Sequence, residues 1–191
     1  NYARALQEAA AVLVSQGDIG AANVFFEEHR KVHTDGAELN FALHAETLQT
    51  LGSIEAESVL SRGISAFPTS TRLLFARANF RERAGFFDLA EADYRQILNL
   101  NPGDANALNA LGYALTNNTD RFQEAAGLLE EAISKDPRNP AIIDSLGWVY
   151  FKLGKDRQAE LLLKEAYKQY PDPEVAAVSY THLRAHETLP Y

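Results

Sequence analysis

Two histidine pairs hold the residue types and spacing in this chain that could do chemistry. His182 and His186 stand four apart with Glu187 beside them, and His29 and His33 also stand four apart. Four residues is about one helical turn, so on a helix each pair would set two imidazoles on one face, the beginning of a metal site. A metal needs further donors. Around His29 and His33 no carboxylate or third histidine falls at a supporting offset on the same face, and the pair is expected to be surface histidines. His44 is the one other histidine outside the tail.

Other chemical signatures dissolve in the same way. Gly17-Asp18-Ile19-Gly20 lacks the Gly-Lys-Ser/Thr ending of a phosphate loop and fits a turn between helices. Asn117-Asn118-Thr119 matches a glycosylation acceptor, yet it falls in a turn where these residue types are expected anyway. The serines have no paired His and Asp. Cysteine is absent, which excludes disulfides and thiolate metal sites and suits oxidising and reducing compartments equally. The expectation is a non-enzyme with no cofactor and no metal. A net charge of −8 argues against non-specific binding to nucleic acid or anionic lipid, and no apolar run approaches the roughly 20 residues needed to cross a bilayer. Methionine is missing even at position 1. The sequence is therefore expected to begin inside a longer reading frame or after processing, with any signal peptide or lipidation cysteine upstream.

The elements that must position any functional side chain come from a repeat. Leu146-Gly147, Tyr150, Ala159, Leu163, Ala166 and Pro171 recur upstream as Leu111-Gly112, Ala125, Leu129, Ala132 and Pro137, with one extra residue in the Thr116–Thr119 turn. Gly85, Phe87, Ala90, Tyr94 and Pro102 form a third set, and Ala56, Leu60, Gly63 and Pro68 a fourth. Gly17, Ala22 and Phe26 form a weaker fifth, with His29 where a small residue belongs and Thr34 in place of proline. This spacing resembles the tetratricopeptide repeat, two antiparallel helices in 34 residues. Five repeats are expected at 3–36, 37–70, 71–104, 105–139 and 140–173, and a sixth opens at 174–177. The fold class expected is all-α, an α-solenoid of antiparallel helix pairs.

The residue types have physical reasons. Small side chains at the eighth, twentieth and twenty-seventh positions let two helices approach to about 8–10 Å, and a large apolar residue at the twenty-fourth fills the space between neighbours. Proline at the thirty-second ends the second helix. First helices are expected near 3–15, 37–50, 71–83, 105–117 and 140–153, and second helices near 19–32, 54–66, 87–99, 121–134 and 156–169. Asp18, Ser53, Asp104, Asp120 and Asn139 are expected N-caps, while Asn139-Pro140 and Asp172-Pro173 place proline in a first turn. Leu161, Leu162, Leu163 and Tyr167 are expected to face a following repeat.

What the resemblance implies is binding of protein partners in a groove lined by the first helices. The positions that face such a groove give Glu38, Phe41 and Leu48; Arg72, Phe75, Asn79 and Arg83; Asn106, Asn109, Tyr113 and Asn117; and Asp144, Trp148, Phe151 and Lys152. The partner-binding candidates are Phe41, Phe75, Asn79, Asn109, Tyr113, Asp144, Trp148 and Phe151, with aromatics supplying area and asparagines holding a peptide backbone. The alternative for the aromatics is packing between neighbouring helices. The subclass that grips a terminal carboxylate needs lysines that the fifth positions here, Gln7, Phe41, Phe75, Asn109 and Asp144, do not supply.

Two further resemblances concern the C-terminal half. Ala107–Leu115 with Thr119-Asp120-Arg121, and Pro140–Val149, are similar to the last repeats of a proteobacterial tetratricopeptide lipoprotein family. That resemblance implies a bacterial envelope adaptor at the periplasmic face of the outer membrane, presenting substrates to a carboxyl-terminal processing protease. The alternative is a substrate-docking or dimerisation arm of a larger enzyme, such as a glycosyltransferase or peptidase. Val178–Thr188, V-S-Y-T-H-L-R-A-H-E-T, resembles a frame translation of a transposase-type sequencing adapter over eleven consecutive residues. Residues 178–191 are accordingly expected to be non-native, and the second histidine pair with them.

Overall fold

The computed structural model describes residues 2–169; the tail histidines, the Asp172-Pro173 turn and the opening of a sixth repeat lie outside the described residues. Within them the chain forms ten α-helices and one 3₁₀ turn, with no strand. The helices are α1 (Tyr2–Gln16), α2 (Ile19–Val32), α3 (Ala37–Thr50), α4 (Glu55–Ala66), α5 (Thr71–Arg83), α6 (Phe87–Leu100), α7 (Ala105–Asn118), α8 (Phe122–Lys135), α9 (Pro140–Lys152) and α10 (Asp156–Gln169). Each lies within one residue of the span its periodicity predicts. The 3₁₀ turn at Thr34–Gly36, where the first repeat lacks its proline, was not foreseen.

Helix starts follow from short polar side chains that satisfy otherwise orphaned amides. Asp18 accepts from the Ala21 amide at 2.9 Å, Asp104 from Ala107 at 3.0 Å, and Asn139 from Ala141 at 3.1 Å. Ser70 does the same for Leu73 at 3.2 Å, a cap the sequence reading missed. Two expected caps need correction. Ile54 and Arg121 occupy the cap positions of α4 and α8, neither with a side-chain cap bond. The hydroxyls of Ser53 and Thr119 instead accept from amides two residues on, Glu55 at 3.2 Å and Arg121 at 3.0 Å. A hydroxyl one position before the cap in α4, and two before it in α8, makes the local turn bond, and Asp120 is left without that role.

The chain divides into two lobes, Asn1–Leu100 and Asn101–Tyr191. In the N-terminal lobe α1, α3 and α5 lie side by side, each antiparallel to its following helix, and α2 and α4 pack on the next first helix. In the C-terminal lobe α7 and α9 lie side by side, with α8 and α10 behind them. The five alanines at the twentieth position, Ala22, Ala56, Ala90, Ala125 and Ala159, are all buried at equivalent places on the second helices. Gly112 and Gly147 sit where a Cβ would come within 2.6 Å of Leu129 Cγ and 2.8 Å of Leu163 Cγ. Only a hydrogen fits there. Leu163 thus belongs to the α9–α10 core, correcting its expected outward orientation: it is the twenty-fourth residue, and Phe26, Leu60, Tyr94 and Leu129 at that position are buried too. Leu161 remains exposed at 65%. Ala159→Leu is expected to overpack this contact and cost about 1–3 kcal/mol, read as a lowered denaturation midpoint.

Two buried polar clusters stiffen the N-terminal lobe. Asp93 on α6 lies between Arg77 and Arg81 of α5, accepting from Arg77 Nη2 at 2.7 Å and Arg81 Nη1 at 2.8 Å. His44 on α3 takes the eighth position, which is Ala10, Ala78, Gly112 or Gly147 in the other repeats. It is fully buried, stacked on Phe26 with centroids 4.8 Å apart. Its Nε2 lies 2.8 Å from Asn23 Oδ1 and its Nδ1 3.3 Å from Arg30 Nη1. A guanidinium can only donate, so Nδ1 must accept, and the imidazole is neutral with its proton on Nε2.

Candidate functional site

In the C-terminal lobe the candidate residues share adjacent faces of α7 and α9. Asn109, Tyr113 and Asn117 are one turn apart on α7, and Asp144, Trp148 and Phe151 follow the same rhythm on α9. Trp148 is held rather than presented. Its Nε1 donates to Asn117 Oδ1 at 2.9 Å, its ring stacks on Phe151 at 5.5 Å and 19°, and Lys152 Nζ sits 4.8 Å from its centroid. Only 9% of Trp148 is exposed. Tyr113, 42% exposed, is the aromatic that meets solvent. Asn109 and Asp144 are half-buried, and the covered Oδ1 of Asn109 has no hydrogen-bond partner. A fixed indole on α9 and an exposed phenol on the neighbouring α7 offer aromatic area, and the indole loses little side-chain freedom when something binds.

In the N-terminal lobe the aromatics pack between helices. Phe41 lies edge-on to Phe67 at 6.4 Å, with the Arg30 guanidinium 4.2 Å above its ring. Phe75 lies edge-on to Tyr94 at 5.6 Å. The Tyr94 hydroxyl lies 2.8 Å from both Asn79 Oδ1 and Glu82 Oε2, so it donates to one at a time. Burial, then the Glu82 carboxylate, pushes that phenol far above its ordinary value. Glu38 accepts from the Ser70 hydroxyl at 2.7 Å and so supports the α5 cap. Leu48, expected to face the groove, is instead fully buried.

What the spacing missed are two clefts along these first helices. One, of about 350 Å³, lies between α1 and α3 and is lined by Gln7, Ala11, Val14, Leu43, Glu46 and Thr50, with others. The second, of about 580 Å³, lies between the C-terminal ends of α3 and α5, walled by Gln49, Ile54, Phe80 and Arg83. Glu46 and Thr50 line both. They are the tenth and fourteenth residues of their repeat, outside the positions a repeat ruler selects, and only the approach of neighbouring helices turns them into a wall.

His29 and His33 have ring centroids 4.5 Å apart, but they form an aromatic cluster with Tyr2 and Phe25. Burial and the neighbouring His33 lower the His29 pKa. Among the described residues no three His, Cys, Asp or Glu side chains gather closely enough to hold a metal, and no helix is long and apolar enough to cross a membrane.

Residues 75–140 and 119–179 each match a family model described as a tetratricopeptide repeat. TPR repeat-containing protein PA4667 of Pseudomonas aeruginosa is 35% identical over 167 residues, which cover 87% of this chain. The chain spans 28% of that relative's length. A tetratricopeptide repeat protein from Parabacteroides merdae superposes with a TM-score of 0.76 at 15% identity, over 95% of this chain and 72% of its own. YrrB, described as a TPR protein with an unusual peptide-binding site, superposes with a TM-score of 0.66 at 18% identity, over 90% and 88%. At these identities the structural likeness is one of fold, an α-solenoid of helix pairs.

Proposed function

We propose that this chain, which carries tetratricopeptide repeats, is a non-catalytic scaffold that holds partner polypeptides against the faces of its first helices. The observation that carries the reading is where the usable surface lies. Both clefts are built on α1, α3 and α5, and α7 presents the exposed Tyr113 while its Asn117 anchors Trp148 of α9. These faces offer amides, hydroxyls and aromatic area, which suit an extended backbone with apolar side chains. YrrB, a neighbour in fold, is described as having a peptide-binding site, which supports the same use here.

A finer reading follows from the resemblance of 105–177 to the lipoprotein family. In it the protein is an envelope adaptor at the periplasmic face of the outer membrane, bringing substrates to a carboxyl-terminal processing protease. The protease and its substrates are part of the proposal. Affinity capture with the full-length protein tests both levels. Tyr113→Ala is expected to lower partner recovery several-fold at an unchanged melting temperature, since Tyr113 is exposed. Trp148→Ala is expected to lower recovery and stability together. Full recovery with both variants removes the C-terminal lobe from the binding surface, and a partner set without a peptidase removes the adaptor reading.

A further inference from the structure

The cleft between the C-terminal ends of α3 and α5 has a chemical polarity that points to the sequence it receives. Arg83 is the cation of that cleft. Among the described residues its guanidinium bonds only to the neutral side-chain oxygen of Gln49. The contrast on the same helix is sharp: Arg77 and Arg81 both engage the Asp93 carboxylate, and Arg81 also engages Glu57 at 2.8 Å. An exposed guanidinium held in place by an amide is oriented without being neutralised, and its fork can pair with a carboxylate in bidentate fashion. Beside it stands an apolar wall, Phe80 with Ile54, which is 84% exposed. Gly52, at φ 74°, lets the chain turn sharply after α3 and brings Ile54 to the rim.

The opposite end of the cleft carries the opposite sign. Glu46 makes no ion pair among the described residues and lines both this cleft and the neighbouring one. Glu46 and Thr50 form the part of the α3 wall that the two clefts share. We infer that this cleft, used as the scaffold reading requires, receives an extended segment of a partner polypeptide, with an Asp or Glu side-chain carboxylate on Arg83 and an adjacent aliphatic side chain on Ile54 and Phe80. A basic segment is disfavoured at Arg83 by like charge. The position of Arg83 in the last turn of α5 also steadies that helix end, so a stability change alone says nothing about binding; charge exchange does.

Fluorescence anisotropy with the full chain and two labelled octapeptides, acetylated and amidated, is the test. One carries Asp-Leu at its centre, and the other differs only in Lys for Asp. Wild type is expected to bind the acidic peptide at least fivefold more tightly, and Arg83→Glu to reverse that order. Ile54→Ser is expected to weaken both. Arg4→Glu, on the exposed face of α1, is expected to leave the order unchanged. Binding of both peptides with the same order in wild type and Arg83→Glu overturns the assignment of Arg83 while leaving the scaffold intact. Failure of wild type to bind either peptide, alongside normal capture of partners, places the partner elsewhere and overturns the cleft.

Discussion

Asp93→Ala is expected to cost the N-terminal lobe about 3–5 kcal/mol, the penalty for removing one member of a buried charge cluster. Asp93 is 2% exposed, and both its oxygens are engaged, by Arg77 Nε at 3.0 Å and Nη2 at 2.7 Å and by Arg81 Nη1 at 2.8 Å. The two guanidiniums are themselves largely covered. Arg77 retains only Ser61 Oγ at 3.0 Å once the carboxylate is gone, whereas Arg81 retains Glu57. Two half-buried cations would then face each other across a void. Arg81→Ala is expected to be milder, because the bidentate Arg77–Asp93 pair survives. Urea unfolding followed by circular dichroism reads the difference as a lowered midpoint at constant slope. A loss below about 1 kcal/mol for Asp93→Ala would place the cluster with ordinary exposed pairs.

Acidification is expected to weaken the same lobe through His44. Burial, then the positive charge of Arg30, lowers the His44 pKa from 6.5 to about 4. The unfolded imidazole accepts a proton near pH 6.5, and the folded one resists until about 4. Between these values the unfolded state binds more protons, so stability falls as pH falls, by up to about 3 kcal/mol, and is fully present above the upper value. The charged neighbours agree with that sign. Arg30 meets Nδ1, and it pairs with Glu27 at 2.7 Å; Arg62 reaches the same Glu27 at 2.7 Å. Burial pushes Glu27 up, but its bonds from Arg62 and Arg30 outweigh this and leave it lowered, so its own contribution is lost only below the usual carboxylate range. His29 loses stability in the same direction, which is why the comparison must be with a variant. His44→Gln keeps an amide donor toward Asn23 and removes the titration. Its unfolding free energy is expected to be lower at pH 7 and distinctly flatter between pH 6.5 and 4.5 than that of wild type. Parallel pH profiles for the two proteins would contradict the assignment.

His44 also marks where the sequence ceases to be informative. The repeat ruler asks for a small residue there, as Ala10, Ala78, Gly112 and Gly147 are; Gly112 lies under Leu129 and Gly147 under Leu163. A histidine fits only because Phe26, Asn23 and Arg30 from α2 surround it, partners 14 to 21 residues away in the case of its hydrogen bonds. Local spacing carries no trace of that. The helices, by contrast, were legible almost to the residue, because periodicity, prolines and capping side chains act within one or two turns. Ala90, Ala125 and Ala159 were legible for the same reason: each repeat asks the same steric question at the same place.

The candidate site was legible in part. Spacing placed Asn109, Tyr113, Asp144 and Trp148 on the first helices of two consecutive repeats, which are α7 and α9, but it could not say that the Trp148 N–H is committed to Asn117. Phe41 and Phe75 show the other outcome: both are half-buried between helices, against Phe67 and Tyr94. An aromatic at a groove position can pack or protrude, and the choice depends on how closely the next helix approaches. The two clefts depend on the same approach. Glu46 and Arg83 became partners in one surface through the distance between α3 and α5, which neither helix encodes alone.

Amide hydrogen exchange on the full-length protein, with and without a captured partner, tests the central claim most directly. The account predicts added protection in peptides from α1, α3, α5, α7 and α9, strongest around Glu46–Ile54 and Asn109–Asn117, with little change in the second helices. Protection confined to α2, α4, α6, α8 and α10 would contradict it.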